Sequence, residues 1–379
     1  MKYLSLLIFF FLLASCRETE HETLITGRLA GLENTMLHFD EVEIRKTIPI
    51  DSTETGPEGS FAFSPEIMES GFYILRTNPE DYIMLVVSPG EKISIRGSIK
   101  NYDISGSEAS RLYEKYHEQS IRNETWVDSL AGIVRERNLL DDQGRLSPEY
   151  KNKFDSVLNA QEDFARNLID NNPGSLASLL ILNQRFGRKP LFDIEDDLQL
   201  FSRVDSALME RYPENKHAID HHQRLSLKRR ELQEKEQAAK RLEIGKEIPD
   251  VSLKDTSGQA VSLHSLKGKN VIMYFWSALD GRSRQSNHEL KKLYKRLNHK
   301  EYAIYAISLD PGREIWKNAV KLDELNWINV NDPEGSRSAV IKLYNLPANL
   351  PYYYLLDKDS RIIFKGQDPE KLKYAIEQP

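Results

Sequence analysis

The chain of 379 residues contains one cysteine, Cys16. With a single thiol no intrachain disulfide can form, so each domain must be held together by its own hydrophobic core. Hydrophobic residues make up 40% of the chain and charged residues 29%, which is the composition of an ordinary globular protein. The length predicts two or three domains of typical size.

Cys16 follows a segment with the layout of a secretory signal peptide. Lys2 precedes an apolar run over residues 4–13, and two small residues come before the cysteine. A run of about ten residues is too short to span a bilayer as a stable helix. The order Leu-Ala-Ser-Cys resembles the bacterial lipobox, whose cysteine is lipidated and becomes the mature N-terminus. The resemblance implies a lipoprotein signal peptide over residues 1–15, lipidation of Cys16 and a lipidated tether over residues 16–22; an uncleaved anchor with an incidental cysteine is the alternative.

We therefore expect the protein to contact the membrane through an N-terminal lipid anchor in the cell envelope. Arg17 is not the aspartate that often retains lipoproteins at the inner membrane, which favours the outer membrane, facing the periplasm. No other segment approaches the ~18 apolar residues of a membrane-spanning helix. The net charge of −6 argues against a nucleic-acid partner, because such a surface would need a basic stripe.

Residues 23–106 have the pattern of a β-rich domain. Short apolar or alternating segments separated by turn clusters predict strands over residues 24–29, 35–39, 61–63, 72–75, 82–87 and 92–95. Their even spacing predicts a small antiparallel β-sandwich or barrel, and we favour the sandwich. Segments 50–53, 59–63 and 88–95 resemble a β-rich domain of unknown function that precedes thioredoxin-like modules in lipoproteins of gram-negative bacteria. Asp51, Glu54 and Glu58 are interpreted as solvated loop carboxylates rather than metal ligands.

Residues 107–242 are predicted to be helical, because apolar side chains recur at spacings of three to four. A break at residues 171–175 precedes a new helix, with Ser175 as its expected N-cap. His217 and His221, next to His222, are four residues apart and would share a helix face, as a metal pair does. Because no third ligand is evident, a solvated face is the favoured interpretation. The polar stretch 228–241 predicts an exposed or bridging helix that leads into the last domain.

Residues 243–379 alternate between strands and helices. Strands are predicted over residues 251–253, 260–263, 271–276, 302–309, 352–356 and 361–364, and helices after residue 280, over 315–325 and over 371–376. Continuous apolar strands separated by helices predict a sheet that is covered on both faces. The fold class is therefore α+β and multidomain, with an N-terminal antiparallel β-sandwich, a helical middle region and a C-terminal α/β module.

Several segments of the last module carry a more specific resemblance. Three segments resemble, in their order and in their amino-acid sequence, the thioredoxin fold of TlpA/ResA-type lipoprotein thiol–disulfide oxidoreductases. They are residues 253–258, 262–269 and 274–277. Leu350 and Pro351, ahead of the last two strands, match the cis-proline position of that family. The resemblance implies a thioredoxin-like fold for residues 243–379.

The chain departs from this family at its reactive residues. Where the family carries Trp-Cys-x-Pro-Cys, residues 279–283 read Leu-Asp-Gly-Arg-Ser, so Asp280 and Ser283 replace the two cysteines. The redox reaction needs a low-pKa thiolate at the helix N-terminus and a second thiol that resolves the mixed disulfide. A serine hydroxyl is too basic for this role and an aspartate has no redox couple. We therefore expect the protein not to be an enzyme, and no catalytic residue, metal or cofactor is assigned.

Asp280 has two open interpretations. It is a suitable helix N-cap, worth about 0.5–2 kcal/mol, or it contributes with Arg282 and Ser283 to a polar binding edge beside Pro351. A hydrolytic pair of Ser283 and His288 is disfavoured, because residues five apart on a helix lie roughly 140° around from each other.

The family resemblance also suggests what the edge could bind. In thioredoxin-like proteins the cis-proline loop pairs with extended polypeptide segments, a known mode of recognition. The predicted partner-binding residues are Asp280, Arg282, Ser283, Leu350, Pro351 and Tyr352. Tyr344, Tyr353 and Tyr354 could line the same groove together with Tyr352, with Tyr353 in the core and its neighbours pointing outward.

The favoured function is that of a redox-inactive, thioredoxin-like envelope lipoprotein that binds a protein or peptide partner. One alternative is an envelope enzyme related to thiol–disulfide oxidoreductases that acts with a cofactor or an external thiol. Another is an architectural lipoprotein whose β-domain does the binding.

Overall fold

The computed structural model describes residues 22–141 and 143–377, so Cys16 and the predicted signal peptide lie outside the described residues. The chain divides into two compact units between Lys228 and Arg229. In the part of the chain that the structure describes, no helix is long and apolar enough to cross a membrane.

The first unit begins with two four-stranded sheets. Their strands are β1 (Leu24–Leu29), β2 (Met36–Val42), β3 (Thr47–Glu54), β4 (Ser60–Phe63), β5 (Gly71–Arg76), β6 (Tyr82–Val87), β7 (Lys92–Gly97) and β8 (Tyr102–Ser105). One sheet has the order β4-β1-β7-β8 and the other the order β3-β2-β5-β6. Neighbouring strands are antiparallel except β1 and β7, which run parallel. Ile25 and Ile95 of one sheet and Phe39 and Leu75 of the other are fully buried in one core, so the two sheets form a sandwich.

Strands β3 and β8 were not predicted. β3 lies at the edge of its sheet and most of its side chains are exposed, so it lacks the apolar alternation by which strands are recognised. Asp51 and Glu54 therefore lie on a strand and not in a loop, although both are exposed as predicted. Glu58 forms an exposed ion pair with Arg28 at 2.7 Å.

Five helices and a two-stranded ribbon follow. They are α1 (Glu108–Glu136), α2 (Pro148–Asn171), α3 (Leu176–Leu182), β9 (Arg185–Phe186), β10 (Lys189–Pro190), α4 (Leu198–Arg211) and α5 (Lys216–Arg241). The hydroxyl of Ser175 accepts the N–H of Ala177 at 3.3 Å, which confirms the predicted cap of α3. The buried faces of the helices form one core with Phe72 and Val86 from the sandwich. The helices therefore cover part of the outer face of the sheet that contains β5 and β6.

The prediction that His217 and His221 lie on a solvated helix face is wrong. The two residues are 5% and 1% exposed. The ring of His217 packs against Phe72 with centroids 4.3 Å apart, and Nε2 of His221 lies 3.3 Å from the carbonyl oxygen of Phe201. Over residues 22–141 and 143–377, no three His, Cys, Asp or Glu side chains are grouped to hold a metal ion, so this histidine pair has no third ligand there.

The second unit contains a seven-stranded sheet. Its strands are β11 (Ser252–Asp255), β12 (Ala260–Ser262), β13 (Asn270–Trp276), β14 (Tyr302–Ser308), β15 (Ile328–Asn331), β16 (Tyr352–Leu356) and β17 (Ile362–Gly366), in the order β12-β11-β15-β14-β13-β16-β17. The three central strands β13, β14 and β15 are parallel to one another. Each outer strand runs antiparallel to its inner neighbour. The helices are α6 (Gly281–Tyr294), α7 (Arg313–Leu322), α8 (Ala339–Leu343) and α9 (Pro369–Glu377).

Both faces of this sheet are covered, as predicted. Met273 and Phe275 lie in a core that includes residues of α8, whereas Ile272, Tyr274 and Trp276 lie in a core that includes residues of α6, α7 and α9. Successive residues of β13 thus enter opposite cores, which explains why the whole strand is apolar. The predicted mixed α+β architecture, with a sandwich, a helical middle and a C-terminal α/β module, is therefore confirmed.

Candidate functional site

The predicted site residues come from two segments at one edge of the seven-stranded sheet. β13 ends at Trp276, and residues 277–280 lead directly into α6. β16 is antiparallel to β13, with Tyr352 opposite Phe275, so the residue before Tyr352 lies at the same edge at which α6 begins. That residue is Pro351, and its peptide bond with Leu350 is cis.

Asp280 is the N-cap of α6. Its Oδ1 accepts a hydrogen bond from the backbone N–H of Ser283 at 2.8 Å, which is the bond expected of a capping carboxylate. Its Oδ2 lies 3.5 Å from Nη2 of Arg282. Partial burial disfavours the charged form, but the N–H of Ser283 and the Arg282 guanidinium outweigh it and hold the pKa of the Asp280 carboxyl below its usual range. Asp280 is thus an ionised cap at the positive end of the helix dipole.

Ser283 lies in the first turn of α6 and is completely buried. Its carbonyl oxygen accepts a hydrogen bond from the hydroxyl of Tyr274 at 2.9 Å. Its own hydroxyl makes no hydrogen bond within the described ranges of the chain. His288 is exposed, so the structure does not bring the two together as a nucleophile and its base.

A buried carboxylate, Asp310, anchors the loop between β13 and α6. Its Oδ1 accepts from the hydroxyl of Ser277 at 2.6 Å, and its Oδ2 accepts from the N–H of Ala278 at 2.8 Å and from the hydroxyl of Ser308 at 2.7 Å. Asp310 is fully buried, and these bonds provide the partners that a buried charge needs. Sequence reasoning missed this residue; the signal that could have found it is a carboxylate just past the end of a buried parallel strand.

A second carboxylate, Asp323, fixes α6 to the end of α7. Its two oxygens accept from Nε and Nη2 of Arg284 at 2.7 and 2.5 Å. The side-chain amide of Asn287 donates to the same carboxylate at 3.0 Å. This bidentate pair is the strongest geometry that arginine and a carboxylate can adopt, so polar contacts hold both the loop before α6 and the first half of the helix.

The edge presents few exposed side chains. Leu279 is 68% exposed, and the side chain of Arg282 is 61% exposed. Leu350 and Tyr352 are half-buried, whereas Pro351 is buried. Pro351 can therefore contribute shape and neighbouring backbone groups but little side-chain surface.

The backbone of Leu350 is unpaired in the part of the chain that the structure describes. Neither its N–H nor its carbonyl makes a hydrogen bond there, although Tyr352, two residues later, already belongs to the β13–β16 ladder. An unpaired N–H and carbonyl beside a strand end can accept an extended segment by strand-like pairing.

Most tyrosines of the predicted groove belong to the two cores instead. Tyr344 and Tyr353 are 0% exposed and Tyr354 is 1% exposed. We expected the neighbours of Tyr353 to point outward, and for Tyr354 this expectation is wrong. Tyr353 and Tyr354 point to opposite faces of the sheet, and each face is covered by a core. Burial raises the pKa of Tyr353 to about 12. Only Tyr352 remains at the edge.

This arrangement can bind but holds no thiol. The start of α6 offers an ionised carboxylate, an exposed guanidinium and an exposed leucine, and the cis-proline segment beside it offers unpaired backbone groups. No acid–base or nucleophile–base pair is assembled among these residues.

Comparison with known proteins bears on the second unit. Residues 244–365 match the AhpC/TSA family. The chain is 30% identical over 133 residues to the thiol-disulfide oxidoreductase ResA of Bacillus thuringiensis subsp. konkukian, a match that spans 35% of this chain and 75% of the relative.

Solved structures of similar sequence cover the same part of the chain. A thiol-disulfide oxidoreductase from Bacteroides fragilis is 30% identical, with a TM-score of 0.33, and the match spans 35% of this chain and 98% of that one. A thiol:disulfide interchange protein from Bacteroides sp. is 29% identical, with a TM-score of 0.34, over 36% of this chain and 90% of that one.

Proposed function

Since the chain belongs, through its C-terminal module, to the AhpC/TSA family and is related to ResA-type thiol–disulfide oxidoreductases, we propose that it is a redox-inactive member that binds a protein or peptide partner. The proposal places it in the cell envelope, held by a lipid on Cys16. Its relatives are named for thiol–disulfide exchange, whereas the function proposed for this chain keeps the fold and not the reaction.

The observation that carries this proposal is the hydrogen bond between Asp280 and the N–H of Ser283. A reactive thiolate of this fold class is activated at a helix N-terminus, where backbone N–H groups and the helix dipole stabilise its charge. Here a carboxylate uses that stabilisation as a cap. The second position, Ser283, is a buried hydroxyl that cannot resolve a mixed disulfide.

Binding is supported by the groups left available beside this cap. The unpaired backbone of Leu350 suits pairing with an extended segment. At the start of α6, Leu279 supplies an apolar contact and Arg282 supplies a cation. The loop that carries Leu279 is held by Asp310, so the surface is formed before a partner arrives and its binding costs little ordering entropy.

Lipid anchoring rests on the sequence around Cys16. If the thiol is acylated, the mature chain carries no free thiol, because Cys16 is the only cysteine. Mass spectrometry of the mature protein tests this part separately. We expect a mass that includes the acyl groups and starts at Cys16, and an unmodified cysteine would contradict it.

Site-specific photocrosslinking tests the binding edge. A photoreactive amino acid at Leu279 or Arg282, in the protein carried in its native envelope, should give a discrete adduct with one partner. Leu227 is the matched control, because it is a leucine of similar exposure (60%) that belongs to the first unit. Equal adduct yields from Leu279, Arg282 and Leu227 would remove the case for a binding edge.

A deletion distinguishes the architectural alternative. If the edge binds the partner, a chain without residues 243–379 should no longer capture the protein identified by crosslinking. Capture that survives the deletion would assign binding to the first unit instead.

A further inference from the structure

A groove of about 1040 Å³ lies on the second unit, between the last turns of α5 and helix α8. Its apolar lining includes Ala238 and Val340, which are 4% and 5% exposed, together with the half-buried Val251 and Leu343. The lining of the groove includes none of the residues of the edge at Asp280 and Pro351. The groove is therefore a separate surface from that edge.

The rim of this α5–α8 groove is basic, although the whole chain carries a net charge of −6. The charged lining residues are Glu231, Glu234, Lys235, Lys240, Arg241 and Lys342. Lys235 pairs with Glu231 at 3.3 Å, and Lys240 pairs with Glu236 at 2.7 Å. Arg241 and Lys342 have no carboxylate within ion-pair distance among the described residues, and Glu234 has no cation within that distance. Two uncompensated cations and one uncompensated carboxylate thus stand beside an apolar floor, which leaves one net positive charge.

The shape of the groove suits a helix. One wall is the part of α5 from Glu231 to Arg241, which at 1.5 Å per residue is roughly 16 Å, or three turns. The other wall is α8, so an added helix would lie between two others. Ala238 on one wall and Ala339 on the other are small enough for an incoming helix axis to approach to the usual 8–10 Å.

We propose that the α5–α8 groove docks an acidic amphipathic helix of a partner protein. The apolar stripe of that helix packs on Val251, Ala339 and Leu343, which line the groove and are half-buried or exposed. Carboxylates beside the stripe pair with Arg241 and Lys342. Helix-in-groove recognition of this kind reads apolar anchors at spacings of three, four and seven residues, and the flanking charges select the acidic partner.

The test uses a fluorescein-labelled synthetic helix of leucine, alanine and glutamate, and a twin peptide with lysine in place of glutamate. Each is titrated by fluorescence anisotropy with the protein produced without its first 16 residues, which keeps both units and removes the lipid. We expect the acidic peptide to bind at least tenfold more tightly than its twin, and high salt to weaken that binding.

Variants locate the binding. Replacement of both cations, R241E with K342E, should weaken the acidic peptide about tenfold and favour the lysine twin. The matched control is K321E with K371E, which makes the same charge change at exposed positions on α7 and α9. The A339W variant, at an exposed position, should fill the groove and block both peptides.

Three results with the peptides would overturn the proposal. They are equal affinity for the two peptides, equal weakening by the two charge-reversed pairs, and unchanged binding to a folded A339W variant. Vesicles of phosphatidylglycerol form the last arm. If Arg241 and Lys342 are needed for the protein to bind these vesicles while the acidic peptide does not bind, the groove recognises lipid headgroups and the proposed helix partner is wrong.

Discussion

The proposed loss of thiol–disulfide exchange depends on two residues at the start of α6. Asp280 is used as a cap, and Ser283 is completely buried behind it. Asp280 is only partly buried, whereas Ser283 is covered. On the proposed function, these two residues occupy the positions of the family's accessible and sheltered thiols.

The double variant D280C with S283C, made in a chain with C16S, should restore thiol–disulfide exchange. The helix N-terminus would lower the pKa of a thiol at position 280, and a thiol at position 283 would resolve the mixed disulfide. We expect insulin reduction by dithiothreitol to run about tenfold above the rate with the parent chain. D280C alone is the control and should add little. If the folded double variant, with both thiols titratable, is no faster than the control, the positions do not correspond to the family's cysteines.

His217 should make the first unit sensitive to acid. Burial, assisted by the neighbouring Lys216, lowers its pKa from 6.5 to about 4, although Glu41, Asp220 and Glu43 act in the opposite direction. The unfolded chain therefore takes up a proton below about pH 6.5 that the folded state does not accept until about pH 4. The free energy of unfolding should fall across this window as the pH falls, by about 3 kcal/mol for this one group.

Urea unfolding followed by circular dichroism at several pH values measures this effect. The H217L variant, which replaces the ring by an apolar side chain of similar size, should reduce the slope between pH 6.5 and 4 by one proton. H288L, at an exposed position in α6, should leave the slope unchanged. Identical slopes for H217L and the parent chain would contradict the assignment.

At the scale of elements, polar contacts hold the loop before α6 and the first half of the helix. Asp310 fixes the loop before it, and Asp323 binds Arg284 and Asn287 along it. These carboxylates lie on the segments that follow β14 and α7, so the sheet and its helices together set the position of the candidate site.

Removal of one of these contacts should loosen the module. The D323A variant leaves the partly buried Arg284 without its bidentate partner, which costs about 2 kcal/mol of unfolding free energy. E324A is the matched control, because Glu324 is the adjacent residue and its ion pair with Lys291 is exposed. Three of the four tryptophans, at positions 276, 316 and 327, report on this unit by fluorescence. Equal unfolding midpoints for the two variants would show that the Asp323 contact does not stabilise the helix.

Elements with a clear apolar period were predictable from the sequence. The strands Leu24–Leu29, Tyr82–Val87 and Tyr352–Leu356 have the predicted limits, because each alternates or is continuously apolar. β15 was missed, since Asn329 and Asn331 interrupt its apolar residues. Both are buried, and their side-chain amides donate to backbone carbonyls. The partner of Asn331 is Ser308, which only the folded chain brings close.

The site shows the same division. Asp280 as a cap and Leu350–Pro351 at the edge followed from residue type and family resemblance. The burial of Tyr354, the anchoring by Asp310 and the burial of His217 depend on which elements lie across from them. Local sequence does not contain that information, because partners 30 or more residues away decide it.

At the scale of the whole molecule, the chain consists of two units. In the first unit, the β-sandwich and the helices share one core. The second is a thioredoxin-like unit that has two cores of its own. None of these cores needs a disulfide, as the single cysteine requires. The second unit carries the family's sheet, cis-proline and helix start. On the proposed function, it uses them to bind a protein or peptide partner and not to exchange electrons.

Insulin reduction by the unmodified protein tests this central claim most directly. With dithiothreitol as reductant, the chain should leave the rate at the uncatalysed background at every protein concentration, while a Cys-x-x-Cys oxidoreductase in parallel accelerates it. A rate that rises in proportion to the concentration of this protein would contradict the account, because it would mean that the module catalyses thiol–disulfide exchange without cysteines at positions 280 and 283.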